Sequence, residues 1–144
     1  MIQKFLGAFI VALASALVLS GPVAATPAKE APWLPEAAAY RLTLFLGNLE
    51  PLPWDDVGTA WAEPYRGSEF SVGALAWLDG NSDIGPAPLL DAITREDRQA
   101  VFAEATRLIA RRIDEELDRA VMADDPARAQ QAVRTARELY RSFA

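Results

Sequence analysis

The chain has 144 residues, with 20 acidic and 14 basic side chains, a formal net charge of −6, and neither cysteine nor histidine. The two absences exclude disulfides, thiolate metal sites, cysteine nucleophiles, Ser-His-Asp triads and histidine-bound zinc or haem. The acidic balance argues against a nucleic-acid binder, because phosphate contacts require a basic surface.

The first 25 residues are typical of a secretory signal peptide. Lys4 supplies a positive start, residues 5–19 form an uncharged apolar run, and the small residues 23–25 close the segment, which is the order found in cleavable signals. The apolar run is shorter than the roughly 20 residues that span a bilayer, so cleavage is favoured over an uncleaved anchor. The sequence therefore predicts a periplasmic or secreted mature chain, 26–144, with no stable membrane span.

This mature chain is short enough to form a single domain, but its composition changes near residue 90. Residues 26–90 hold nine acidic and three basic side chains and all four tryptophans. Residues 91–144 hold 11 acidic and 10 basic side chains and no glycine. Most of the acidic excess and of the turn-forming residues therefore lies in the first part.

An antiparallel helical hairpin is predicted for residues 94–143. Thr94 is expected to cap the first helix, with Asp97 at its third position. After a short break, Asp125 is expected to cap the second helix and Pro126 to begin it. Apolar residues at steps of three and four predict the face that each helix buries. They are Val101, Phe102, Ala105, Leu108, Ile109, Ile113, Leu117, Ala120 and Val121 in the first helix, and Ala129, Ala132, Val133, Ala136, Leu139, Tyr140 and Phe143 in the second.

The acidic part predicts shorter helices at 36–46, 55–62 and 68–78, followed by a turn-rich loop at 79–88. Residues 40–46 also alternate as a strand would, although helix is the preferred interpretation. The sequence therefore predicts an all-α fold, a small bundle of three to five helices closed by the C-terminal hairpin.

The acidic part also holds a cluster of tryptophans and carboxylates that has two interpretations. The acids can serve the helix dipole while the indoles fill the core. Alternatively, an indole and several carboxylates form a surface that binds a cationic or polar group. The candidate partner-binding residues are Trp54, Asp55, Asp56, Trp61, Glu63 and Glu69.

These observations favour an exported, non-catalytic accessory or interaction protein that binds a protein partner in the periplasm. A carbohydrate-directed protein, which binds or cleaves cell-wall polysaccharide, is the alternative from a different class. Cleavage would need a pair of carboxyl groups, one of them with a raised pKa in a shaped groove. A small helical domain offers little material for such a groove, so catalysis is the less favoured interpretation.

One loop invites a test for calcium, and a divalent-cation binder is the third alternative. Asp79, Asn81 and Asp83 match the first three ligand positions of an EF-hand loop. Ile84 stands where that loop needs glycine, and Leu90 stands where it needs glutamate. A hydrogen-bonded turn is therefore favoured over a Ca²⁺ site, and no other cofactor is predicted.

Overall fold

The computed structural model describes residues 33–144, and all regular secondary structure in this part of the chain is helical. Its elements are α1 (Pro35–Leu46), α2 (Trp54–Ala62), α3 (Ala74–Asn81), α4 (Ala87–Thr94), α5 (Arg98–Met122), α6 (Pro126–Tyr140) and a final 3₁₀ turn (Arg141–Phe143). The predicted all-α fold is thus confirmed, and residues 40–46 are helical. The predicted signal peptide lies outside the described residues. Within them, no helix is both long enough and apolar enough to cross a membrane.

Buried side chains from all six helices form one core. Helix α1 contacts α2, α3, α5 and α6, and α5 packs along α6 as the predicted hairpin. Trp61, Leu78, Ile109 and Leu139 are among the largest fully buried side chains. Burying a side chain of this kind stabilises a fold by about 1.5–3 kcal/mol, so these residues hold the helices together.

Helix α4 begins at the end of the stretch 79–88 that was predicted to be a loop, and it ends at Thr94, where the hairpin was predicted to start. Thr94 ends α4 and does not cap α5; its hydroxyl donates to the Leu90 carbonyl at 2.8 Å. The cap of α5 is Asp97, whose carboxylate accepts from the Ala100 amide at 3.0 Å. Between the helices, Glu96 adopts a left-handed φ of 52°. A left-handed stop is usually marked by glycine, and its absence here hid the boundary.

The helix predicted at 68–78 begins later than expected, at Ala74. The Ser68 hydroxyl accepts from the Phe70 amide at 3.0 Å, a local bond that favours a turn over helix. Gly73 then passes so close to the end of α2 that a Cβ at this position would lie 2.3 Å from the Ala62 carbonyl oxygen. The segment before Ala74 is therefore used to bring α3 against α2.

The buried face of α5 differs from the predicted apolar stripe in its second half. Val101, Ala105, Leu108 and Ile109 are buried as predicted. Successive four-residue steps beyond Ile109 drift around the helix by about 40° each, since a turn takes 3.6 residues. Because of this drift, Leu117 and Val121 face solvent, and Val121 is 86% exposed.

Two charged residues continue the inner face of α5 in place of these apolar ones. Arg112 and Glu116, three and seven residues after Ile109, are 1% and 6% exposed. In α6, Ala132, Ala136 and Leu139 are buried as expected, whereas the predicted core residues Val133 and Tyr140 are exposed. The hairpin itself and its cap at Asp125, which accepts from the Ala127 amide at 3.0 Å, are as predicted.

Candidate functional site

One side of helix α2 packs against the core, and the other side faces solvent. Val57 and Trp61, four residues apart, are fully buried. The Trp61 indole N–H donates to the Thr43 hydroxyl at 2.9 Å, and this hydroxyl donates to the Ala39 carbonyl at 2.8 Å. These bonds tie α2 to α1 and fix which residues of α2 face outward.

The fixed orientation removes Trp61 from the candidate binding surface. A fully buried indole with its N–H bonded inside the protein has no atom available to a partner, so for Trp61 the core interpretation is the correct one. Trp54, at the start of α2, is half-buried and packs against the core with part of its ring accessible. Sequence spacing alone could not separate the two tryptophans, because both lie next to apolar neighbours.

The exposed side of α2 carries the predicted carboxylates. We call Asp55, Asp56, Thr59 and Glu63 the acidic α2 face, and all four residues are exposed. Asp55 and Asp56 lie in the first turn, yet neither forms a capping hydrogen bond. No arginine within residues 33–144 forms an ion pair with Asp55, Asp56 or Glu63. Asp55 and Asp56 lie favourably at the positive end of the helix dipole, whereas Glu63 follows the last residue of α2; beyond this, the three carboxylates have no structural partner in the described chain.

Residues from elsewhere in the chain adjoin this face. On one flank, Trp54 and Asp55 share a shallow hollow of about 610 Å³ with Ile93 and Glu96 from the end of α4. Glu96 adds a further carboxylate that the sequence did not associate with the cluster. Glu69 is exposed on the segment between α2 and α3, outside these hollows.

On the other flank lie two hollows that share Leu42 and Tyr65, and we call them together the aromatic groove. The first, about 440 Å³, is lined by Asp56 and Glu63 as well as these two residues. The second, about 390 Å³, continues toward Trp33. Both hollows are large enough for a bulky side chain.

Phe45 lines the second hollow of the aromatic groove. It is 64% exposed, and Tyr65 is 54% exposed. No local pattern in the sequence groups these residues, because the chain that follows α2 returns over α1 only in the folded protein.

The three residues considered for calcium do not form the loop that an EF-hand needs. Asp79 and Asn81 belong to the last turn of α3, where residues two apart point to different sides of the helix. The Asn81 side chain donates to the Trp77 carbonyl at 2.9 Å. The Asp83 amide donates to a Glu115 oxygen at 3.1 Å. In the described part of the chain, no group of three or more acidic, histidine or cysteine residues is placed to hold a metal ion.

A second set of charged residues, which we call the buried charge cluster, is centred on the buried Glu36, Arg112 and Glu116 and includes the partly buried Glu115 and the exposed Arg119. Arg112 donates to Glu36 at 3.3 Å, to Glu115 at 2.7 Å and to Glu116 at 2.9 Å. Arg119 donates to Glu115 and to Glu116, at 2.6 Å each. Since Glu36 belongs to α1 and the others to α5, the cluster joins these two helices.

Burial and hydrogen bonding shift the pKa values of this cluster in opposite directions. Burial raises the pKa of Glu36, and the nearby Arg112 guanidinium only partly offsets it. One Glu36 oxygen, Oε2, is buried without a hydrogen-bond partner. Burial also opposes the charge on Glu115, but hydrogen bonds from Ser82, the Asp83 amide and Arg112 outweigh it and lower the pKa of Glu115. For Arg112, bonds to its carboxylates outweigh burial and raise its pKa.

A hollow of about 830 Å³ lies beside this cluster. Asp114 and Asp118 line it together with Arg111, Arg119 and Arg128. Both carboxylates and arginines line this hollow, and several of them pair with one another, so it favours no one class of ligand. The acidic α2 face and the aromatic groove are the more selective surface.

Comparisons of the chain with models of protein families, with curated proteins and with solved structures found no match.

Proposed function

We propose that this protein is an exported, non-catalytic interaction protein that binds a protein partner through the acidic α2 face. The observation that carries the proposal is the exposure of Asp55, Asp56 and Glu63 without an ion pair in the described chain. Like charges on one short helix repel one another and add nothing to the core. A basic partner would relieve that repulsion on binding.

The surroundings of the face support binding rather than catalysis. The carboxylates that could supply a hydrolytic pair in the acidic part are all exposed: Asp55, Asp56, Glu63, Glu69, Asp79 and Asp83. The described carboxyl group whose pKa is clearly raised is that of Glu36, which is fully buried and has no access to a substrate. A glycosidase needs a raised pKa and an accessible groove at the same carboxyl group.

Charge also gives the proposal a kinetic signature. Exposed carboxylates attract a basic partner over distances comparable to the Debye length, about 8 Å at physiological salt. The association rate should therefore fall as salt is raised, while the dissociation rate changes less.

Export itself follows from the predicted signal peptide and is tested by locating the mature protein in cell fractions.

The experiment compares three forms of the mature protein as baits in a periplasmic extract. The first is the wild type, and the second carries Asp55→Asn, Asp56→Asn and Glu63→Gln. The third, a matched control, carries Asp114→Asn, Asp118→Asn and Asp124→Asn on the hairpin and therefore changes the net charge by the same amount. We expect the wild type and the control to retain the same partner and the α2 variant to lose it.

Equal capture by all three forms, at equal stability, would contradict the proposal. Direct binding by soluble cell-wall glycan fragments, with no protein retained, would favour the carbohydrate alternative instead. Thermal unfolding of each bait shows that loss of the partner is not loss of the fold.

A further inference from the structure

The aromatic groove suggests what the partner presents to this surface. Its two hollows meet at Leu42 and Tyr65, so a ligand in one lies next to a ligand in the other. The hollow toward Trp33 is lined by apolar and aromatic side chains and by one cation, Arg41, whose guanidinium lies 5.1 Å from the centre of the Trp33 ring. The hollow toward α2 is bordered by Asp56 and Glu63.

Exposure of the aromatic side chains is the second observation. Phe45 and Tyr65 each leave more than half of their surface in water. Large aromatic side chains contribute strongly when they are buried at an interface, and Tyr is enriched among residues that dominate binding energy. In the folded chain these two rings line the same hollow, which gives one apolar recess and not two isolated contacts.

Charge selects the class of ligand. Asp56 and Glu63 have no ion pair within residues 33–144, and Arg66 is the one cation that lines their hollow. Asp55 and Glu96 add negative charge on the opposite flank of α2. A cation beside the two carboxylates is therefore favoured, with Arg66 as a competitor for the same charges.

We propose that the aromatic groove binds a segment of the protein partner in which a large apolar side chain lies next to a lysine or arginine. The apolar side chain would enter the hollow lined by Phe45 and Tyr65, and the cation would lie against Asp56 and Glu63. This inference rests on the proposed function and adds the chemistry of the segment that is recognised.

Synthetic peptides with blocked ends provide the test. The probe is Ser-Lys-Phe-Lys-Ser, and the comparison peptides are Ser-Lys-Ser-Lys-Ser, which lacks the aromatic side chain, and Ser-Glu-Phe-Glu-Ser, which reverses the charge. Binding is followed by NMR titration of the amides in residues 42–45 and 63–66. We expect the probe to bind at these amides, the serine peptide to bind about tenfold more weakly, and the glutamate peptide not to bind.

Variants of the protein locate the binding. Tyr65→Ala and Phe45→Ala should each weaken the probe about tenfold. Tyr140→Ala is the matched control, because Tyr140 is 65% exposed on the hairpin and outside the groove, and it should change nothing. Arg66→Gln should strengthen binding about twofold to fivefold by removing the competing cation. A merely structural role for the groove would not produce this gain.

Several results would overturn the inference. They are equal binding of the phenylalanine and serine peptides, unchanged binding in both groove variants, and self-association of the protein that Tyr65→Ala abolishes. The last would mean that a second copy fills the groove. If soluble glycan fragments change the NMR chemical shifts of the groove amides and the probe peptide does not, the groove binds carbohydrate.

Partner capture separates this inference from the proposed function. If neutralising the α2 acids abolishes capture while Tyr65→Ala and Phe45→Ala leave it intact, the proposed function stands and the inference fails. If only the groove variants abolish capture, the proposed role of the acidic α2 face fails.

Discussion

The carboxylates of α2 and those at the centre of α5 are arranged in opposite ways. Asp55, Asp56 and Glu63 are exposed and form no ion pair within residues 33–144, whereas Glu115 and Glu116 share Arg112 and Arg119 at distances of 2.6–2.9 Å. The first group can change without unfolding the chain, because nothing in the core depends on it. The second group is tied to the fold, because Glu115 and Glu116 bond to the buried guanidinium of Arg112.

This comparison separates carboxylates that stabilise the fold, in the buried charge cluster, from carboxylates that are available to bind a partner, on the acidic α2 face. In the buried charge cluster, Glu36, Glu115 and Glu116 face two arginines, so the cluster carries one excess negative charge unless one carboxyl is protonated. Glu36, the most deeply buried of the three and the one with an unbonded oxygen, is the member suited to hold that proton. On the acidic α2 face, no ion pair within residues 33–144 offsets the negative charge of the carboxylates.

The largest stability effect is expected from Arg112. Arg112→Met should cost about 3–5 kcal/mol, because the buried Glu36 would lose its cation and Glu116 would keep only the exposed Arg119. Arg107→Met is the control, since Arg107 forms an exposed pair with Glu104, and it should change stability by less than about 0.5 kcal/mol. Urea unfolding of both variants makes the measurement. A cost below about 1 kcal/mol for Arg112→Met would show that the cluster is not buried as described.

The apolar part of the same helix face should give the next largest effect. Ile109→Ala should cost about 2–5 kcal/mol, since the side chain is fully buried and its loss leaves a cavity. Val121→Ala, at an exposed position of the same helix, should cost less than about 0.5 kcal/mol. The reverse order in urea unfolding would mean that α5 turns its other face to the core.

The pH dependence of stability distinguishes Glu36 from Glu115. A carboxyl whose pKa is raised on folding favours the folded state while it is protonated, and this contribution is lost as pH rises through its folded pKa. Glu115 has a lowered pKa, so its contribution is present at neutral pH and is lost as pH falls through its folded value.

The wild type should therefore lose stability relative to Glu36→Gln as pH rises above the ordinary glutamate value of 4.5. Each unit by which the pKa is raised is worth about 1.4 kcal/mol. Unfolding curves of both proteins from pH 4 to 8 give the difference. A difference that is constant over this range would mean that Glu36 does not change protonation on folding.

A smaller effect is expected at the start of α6. Asp125→Ala should cost about 0.5–2 kcal/mol, because the Ala127 amide would lose the carboxylate that it donates to. Asp124→Ala, one residue earlier and exposed, is the control and should be close to neutral. Equal thermal shifts for the two variants would argue against the cap.

These positions also show which features the sequence could predict. The cap at Asp125 and the core positions Ala105 and Ile109 follow from local spacing, and the structure has them as predicted. The burial of Arg112 could not be predicted, since its partner Glu36 is 76 residues away in the chain. The end of α4 was hidden because Glu96 takes a conformation that usually signals glycine.

The candidate site was predictable only in part, for a similar reason. The spacing of Asp55, Asp56 and Glu63 around one short helix was visible in the sequence, and all three are exposed. Which tryptophan is buried depends on Thr43 of α1, which bonds to Trp61 and not to Trp54. The groove formed by Phe45 and Tyr65 depends on how the chain after α2 returns over α1.

The most direct test of the division between structural and binding charges combines stability and binding in one variant. For the protein carrying Asp55→Asn, Asp56→Asn and Glu63→Gln, unfolding stability and the association rate with the captured partner are measured side by side with the wild type. We expect stability within about 0.5 kcal/mol of the wild type and an association rate that is lower and less dependent on salt. A variant that loses several kcal/mol of stability, or that keeps both the wild-type association rate and its salt dependence, would contradict this division.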